Sequence, residues 1–212
     1  ITELSNGSYL VRSPSWDNGA TPDVGAFTWG SGTTGVKGAV SIANSLVGTA
    51  ADNVVNTSTI TELGNGNFLV TNPTWDNGAA TDAGAVTFGS GTTGVKGVVS
   101  DANSLVGGTT NDLVGSDYFS YGGGITVLSN SSYVVRSPSW DNTTTGATDA
   151  GAVTWGSGTA GVKGVVSATN SLVGSSTDDR IGDINYYGYG HFTVLSNGNY
   201  LVRSLYWDNT IT

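Results

Sequence analysis

The residues of this sequence best suited to recognition chemistry are four Trp-Asp-Asn corners, which begin at Trp16, Trp75, Trp140 and Trp207. A sugar ring shows an apolar face beside hydroxyl groups, so an indole flanked by a planar carboxylate and a planar carboxamide forms a matching set. On that reading Trp16, Asp17 and Asn18, Trp75, Asp76 and Asn77, and Trp140, Asp141 and Asn142 would each make a shallow ligand-binding surface. The same residue types also suit a packed corner. The Trp would fill the space between neighbouring units while Asp and Asn accept and donate hydrogen bonds within the turn. Regular recurrence favours packing, because stacked repeats need the same residue at every junction.

Carboxylates bracket the loop that follows each corner, as Asp17 and Asp23, Asp76 and Asp82, and Asp141 and Asp149. Hard oxygen ligands on a glycine-containing loop could hold calcium, although none of these loops has the dense alternating Asp pattern of a tight site. The densest acidic stretch is TDDRIGD, so Asp178, Asp179 and Asp183 are the stronger metal candidates and calcium is the one cofactor considered. Two aromatic stretches differ between units and are candidate contact loops: Tyr118, Phe119 and Tyr121, then Tyr186, Tyr187 and Tyr189. Tyrosine beside glycine gives rigid amphipathic surface on an adaptable backbone, suited either to a partner or to plugging a central hole.

Catalysis finds little support. His191 is the single histidine, and no nucleophile or metal-ligand spacing accompanies it, so no catalytic residue is assigned and the chain is read as a non-enzyme. Six of the seven basic residues fall in two repeat columns, Arg12, Arg136 and Arg203, then Lys37, Lys96 and Lys163, with Arg180 outside them. A scarce charge recurring at one repeat position is expected to pair with, or hydrogen-bond to, the neighbouring unit.

These candidates must be positioned by short strands. The 212 residues carry 37% hydrophobic but only 11% charged residues and 33 glycines, a composition for strands and tight turns around a sizeable core. A net charge of −9 argues against nucleic acid as a partner, since phosphate would be repelled. No run of eighteen apolar residues is present, so membrane insertion is not expected. With no cysteine, disulfides and thiolate chemistry are excluded. The chain contains no Met and starts at Ile1, which reads as a processed product or an excerpt.

Self-similarity organises everything else. The corner tryptophans are 59, 65 and 67 residues apart, while the Leu that ends the first strand (Leu4, Leu63, Leu128, Leu195) precedes its Trp by twelve residues each time. Within a unit the order is constant: a strand such as ITEL, an Asn-containing turn, a strand such as YLVRSP, the corner, GAVTWG, then KGVVSATNSLVG. Asn-Gly between alternating strands is the strongest local hairpin signal, with Asn130-Ser131 as the weaker third version. Units of three to four antiparallel strands are predicted over approximately 1–50, 60–108 and 125–175, with a partial unit at 191–212, in a single repeat domain spanning 1–212. One such unit cannot cover both of its faces, so neighbours must stack.

The succession GGGITVLSNSSYVVRSPSWDN…GAVTWG resembles the FG-GAP blades of integrin-α-like β-propellers, over roughly half of the chain. The whole unit is also similar to tandem repeats of large filamentous-haemagglutinin-like bacterial surface proteins. The first resemblance implies a propeller, and the second an extracellular or cell-surface protein of bacteria. FG-GAP blades commonly hold calcium between strands one and two, where this chain has only SNGS, GNGN, SNSS or SNGN.

The fold expected is all-β, a propeller-like array of about three and a half units, with a three-fold β-prism-like form or a β-solenoid as alternatives. The function expected is structural and adhesive, with self-association into a homo-oligomer or fibre and carbohydrate as a further partner. The alternative is a soluble lectin with one shallow sugar site per unit.

Overall fold

The computed structural model describes residues 1–49, 58–116, 123–183 and 192–208, and among these it is all-β. Unit 1 contributes β1 (Thr2–Glu3), β2 (Tyr9–Ser13), β3 (Ala26–Gly30) and β4 (Ser45–Val47). Unit 2 contributes β5 (Thr59–Glu62), β6 (Phe68–Asn72), β7 (Ala85–Gly89), β8 (Gly97–Val98) and β9 (Ser104–Val106). Unit 3 contributes β10 (Ile125–Val127), β11 (Tyr133–Ser137), β12 (Ala152–Gly156), β13 (Gly164–Val165) and β14 (Ser171–Val173). The partial unit 4 contributes the hairpin of β15 (Phe192–Val194) and β16 (Tyr200–Val202).

Each full unit is an antiparallel meander, and the hairpin turns of all four units carry one left-handed residue: Gly7, Gly66 and Gly198 have φ near +80°, and Ser131 takes the same role at +65°. The conserved-looking sequence positions have local causes. Tyr9, Phe68 and Tyr133 lie opposite Gly30, Gly89 and Gly156 in the register of the second and third strands. A Cβ on any of those glycines would fall within the facing aromatic ring, so the ring covers the glycine backbone. Behind it, Thr28, Thr87 and Thr154 share hydroxyl hydrogen bonds of 2.7, 2.7 and 2.6 Å with Ser45, Ser104 and Ser171 of the fourth strand. Asn44, Asn103 and Asn170 each shape the turn into that strand, their side-chain amides donating at 2.9 Å to the carbonyls of Ala39, Val98 and Val165.

The KGVV segment departs from the expected antiparallel unit. It does not join the sheet of its own unit but adds, in parallel, to the last strand of the unit before it. Thus β8 of unit 2 pairs with β4 of unit 1, and β13 of unit 3 pairs with β9 of unit 2. The contact continues as Val99 N–H donates to Val47 O and Val166 N–H to Val106 O, both at 3.0 Å. A turn-closing glycine just upstream explains how the segment approaches so closely. Gly94 and Gly161 sit on the side chains of Trp29 and Phe88 of the preceding unit, leaving no room for a Cβ.

The core lies between units rather than inside them. Leu4, Leu10, Phe27 and Leu46 of unit 1 pack with Phe68, Val70, Trp75 and Val106 of unit 2. Leu63, Leu69, Val86 and Leu105 of unit 2 pack with Tyr133, Val135, Trp140 and Val166 of unit 3. A smaller cluster joins Leu128, Val134, Val153 and Ile181 of unit 3 to Phe192, Tyr200 and Val202 of unit 4. Alternate residues along a strand point to opposite faces, so Leu69 meets the next unit while Phe68 and Val70 meet the previous one. Among the described residues the arrangement is propeller-like and does not close.

Candidate functional site

The Trp-Asp-Asn corner begins where the second strand ends. Trp75 N–H donates to Asn72 O at 3.3 Å and its carbonyl accepts from Gly84 N–H at 2.9 Å, which folds the chain back after the corner loop. Asp76 Oδ1 accepts the N–H of Asp82 across that loop at 2.8 Å, and the pairs Asp17–Asp23 and Asp141–Asp149 repeat the bond at the same distance. The second Asp of each pair holds a left-handed backbone, with φ of +52° at Asp23 and Asp82 and +48° at Asp149. Asp is among the few side chains that tolerate this conformation. Asn77 and Asn142 donate from Nδ2 to Gly107 O at 2.9 Å and Gly174 O at 2.8 Å, tying the corner to the end of the fourth strand. The first carboxylate of each bracketing pair, at Asp17, Asp76 and Asp141, is therefore engaged with a backbone N–H group in a turn.

The tryptophans occupy different surroundings. Trp75 and Trp140 are only 3% and 5% exposed, their rings enclosed between units, whereas Trp207 is 52% exposed and Trp16 is half-buried. The faces of Trp75 and Trp140 are thus filled by protein. Burying an indole of this size contributes several kcal/mol at each junction, about 25 cal/mol for each Å² of apolar surface removed from water.

A second component of the junction is a buried carboxylate, at Asp112 and at the metal candidate Asp179. Asp112, almost fully buried, accepts from the N–H groups of Gly108 and Thr109 at 2.7 and 2.8 Å through Oδ2. Its Oδ1 accepts from Thr109 Oγ1 at 2.5 Å and from the N–H of Asp141, in the next unit's corner, at 3.0 Å. Asp179 repeats the arrangement one unit on, accepting from Ser175 and Ser176 N–H at 2.8 and 2.9 Å and from Asp208 N–H at 2.9 Å. Each carboxylate is a clamp between the closing loop of one unit and the corner of the next. Burial pushes the Asp112 carboxyl above its ordinary 3.8, and the hydrogen bonds from Thr109, Asp141 and Gly108 pull it part of the way back. Asp149 is also raised, chiefly by desolvation, with Arg180 opposing the shift and Asp141 and Asp178 adding to it.

The metal candidates are not gathered into a cation cage. Asp179 spends both oxygens on backbone N–H groups, Asp178 pairs with Arg180 at 2.8 Å, and Asp183 is buried with its N–H on Arg180 O at 3.0 Å. Among the described residues no group of three or more His, Asp or Glu side chains is placed to hold a metal. Tyr118, Phe119, Tyr121, Tyr186, Tyr187, Tyr189 and His191 lie outside the described residues.

The basic columns divide. Arg136 is buried and donates to Gly182 O at 3.3 Å and Gly123 O at 2.6 Å. Arg12 lies over the Phe27 ring at 5.4 Å, a cation–π contact. Lys37, Lys96 and Lys163 are exposed, and among the described residues the ion pair shown is Arg180–Asp178. Further cross-unit bonds come from the hairpin turns: Asn6 Nδ2 donates to Gly91 O at 2.8 Å, and Asn65 Nδ2 to Gly158 O at 2.7 Å.

Chemically, then, the recurring site does adhesion of one unit to the next. It combines an enclosed indole, a buried carboxylate clamp, a turn-to-turn amide bond and a parallel strand exchange. The family comparison agrees with a repeat: a family described as "Repeat of unknown function (DUF5650)" matches residues 3–57, 62–116, 127–183 and 194–212. No curated protein matches the chain.

Proposed function

The chain belongs to the DUF5650 repeat family, and from that premise we propose that it is a structural and adhesive array segment that self-associates at a cell surface or outside the cell. The observation that carries this reading is the placement of the core: among the described residues every hydrophobic cluster spans two successive units. A unit whose stability comes from its neighbour is made to be stacked, and stacking extends as readily between chains as within one. The cell-surface setting is supported by the similarity to filamentous-haemagglutinin-like bacterial repeats, and a propeller-derived architecture by the similarity to FG-GAP blades. No reaction, nucleic acid or membrane insertion forms part of this reading. Sedimentation velocity over a micromolar concentration series tests it, with a sedimentation coefficient that rises with concentration expected and a strict monomer contradicting it.

A lectin reading is favoured by one observation: Trp155 and Trp207 are 47% and 52% exposed, so two indole faces stand open near the partial unit. A glycan panel read by tryptophan fluorescence checks it. A saturable shift that Trp207→Ala removes would support sugar contact, and an unchanged spectrum across the panel would leave the array as the sole role.

A further inference from the structure

Two successive junctions share one backbone arrangement at their turns and fill it differently. Between units 2 and 3 the Asn67 carboxamide bridges two turns: its Oδ1 accepts from Gly91 N–H at 2.9 Å, and its Nδ2 donates to Gly158 O at 2.8 Å. Gly158 O also accepts from Asn65 Nδ2, so it takes two donors. Between units 1 and 2 the equivalent of Asn67 is Ser8, whose side chain is too short to bridge. Among the described residues Gly91 O there accepts only from Asn6 Nδ2, at 2.8 Å, and Gly32 N–H meets no acceptor. A cleft of about 370 Å³ takes the place of the carboxamide, lined by Ser8, Trp29, Gly32, Thr33, Gly91 and Thr92. It lies between two complete units. The wall residue changes with the filling: Trp29 stands where unit 2 has Phe88, and the pairing of Ser with Trp recurs in unit 3 as Ser132 and Trp155.

We propose that this cleft binds an N-acetylated amino sugar by its acetamido group. The cleft presents a carbonyl acceptor, Gly91 O, and an N–H donor, that of Gly32, whose counterparts in the next junction are both satisfied by one amide. An acetamido group carries the same two functions. Its N–H would donate to Gly91 O, and its carbonyl would accept from Gly32 N–H. The half-buried indole of Trp29 gives an apolar wall for the acetyl methyl and the sugar ring, while Thr33 and Thr92 stand exposed at the rim, where ring hydroxyls emerge. The volume suits one sugar residue with its substituent. A hexose without the amide leaves the Gly32 N–H unmet, and a side-chain amide from a protein leaves the indole wall and the hydroxyl rim unused. The site does not depend on self-association and uses none of the Trp-Asp-Asn corner residues.

The test titrates N-acetylglucosamine into the full chain by calorimetry, with glucose as the control that lacks the amide. Saturable binding of N-acetylglucosamine is expected, with glucose about tenfold weaker, the loss of one well-made hydrogen bond. The double variant Ser8→Asn with Trp29→Phe rebuilds the filling of the second junction in the first, so it should keep the wild-type melting temperature and lose one binding equivalent. The converse variant, Asn67→Ser with Phe88→Trp, opens the second junction and should gain one. Absence of N-acetylglucosamine binding, equal affinity for glucose, or unchanged stoichiometry in a folded variant overturns the proposal. Tighter binding of the peptide Gly-Asn-Gly than of the sugar also overturns it, because the amide would then belong to a protein partner.

Discussion

The strands Ser104–Val106 and Ser171–Val173 have the same three residues, Ser-Leu-Val, and pair in the same register with the third strand of their units. Their surroundings are nevertheless opposite: Leu105 is fully buried, and Leu172 is more than half exposed. The second strands show the same gradient, since β6 and β11 are buried at every position while β2 is mostly half-buried and β16 is half-buried to exposed. Identical local sequence therefore fixes the strand but not its burial, which the following unit supplies. Stability in such an array is a sum of unit terms and nearest-neighbour junction terms, and the junction term dominates here.

The largest test of that contrast replaces the same corner residue inside and at the edge. Trp140→Ala should cost about 3–5 kcal/mol in denaturant unfolding, because it empties an enclosed space between units 2 and 3. Trp207→Ala should stay within about 0.5 kcal/mol, as exposed positions generally do. Equal losses would mean that the corner stabilises its own unit and not the junction.

A smaller contrast lies in the hairpin turns. Asn65→Ala removes the side-chain bond to Gly158 O and should cost about 0.5–1.5 kcal/mol. Asn197→Ala, whose side chain reaches only Asn199 N–H among the described residues, should fall at or below the bottom of that range. Urea melts of the two variants in parallel decide whether the turn amides join units or only shape their own hairpins.

The smallest effect is the pH response of the Asp112 clamp. Burial raises its carboxyl above the ordinary 3.8, so the folded state takes up a proton at a higher pH than the unfolded chain does. Its contribution to stability is therefore fully present below the unfolded pKa and is lost as pH rises through the folded value. Mild acidification from neutral should add an increment in the wild-type chain that Asp112→Asn lacks, measured as the difference between their melting temperatures against pH. Matching profiles would show that the clamp titrates as in the unfolded chain.

Much of this architecture is legible in the sequence because it is local. Alternation, Asn-Gly turns and the fixed spacing from Leu63 to Trp75 place the strands and corners, since each depends on residues a few positions apart. The strand exchange is hidden because β8 is two residues long, and its pairing with Leu46–Val47 spans about fifty residues of chain with no periodicity to mark it. The acidic clamp had a signal that was easily misassigned. Asp112 and Asp179 each stand five residues after the closing glycines Gly107 and Gly174, but unit 1 has Asn53 at that position, and the dense TDDRIGD stretch points towards metal chemistry instead.

Native-state hydrogen exchange on the intact chain tests the central claim most directly. If stability is supplied at junctions, the amides of β6, β7, β9 and β11 should exchange slowest and those of β14, β15 and β16 much faster, despite their shared sequence types. Uniform protection across equivalent strands of all units would contradict the account, because each unit would then be stable without its neighbour.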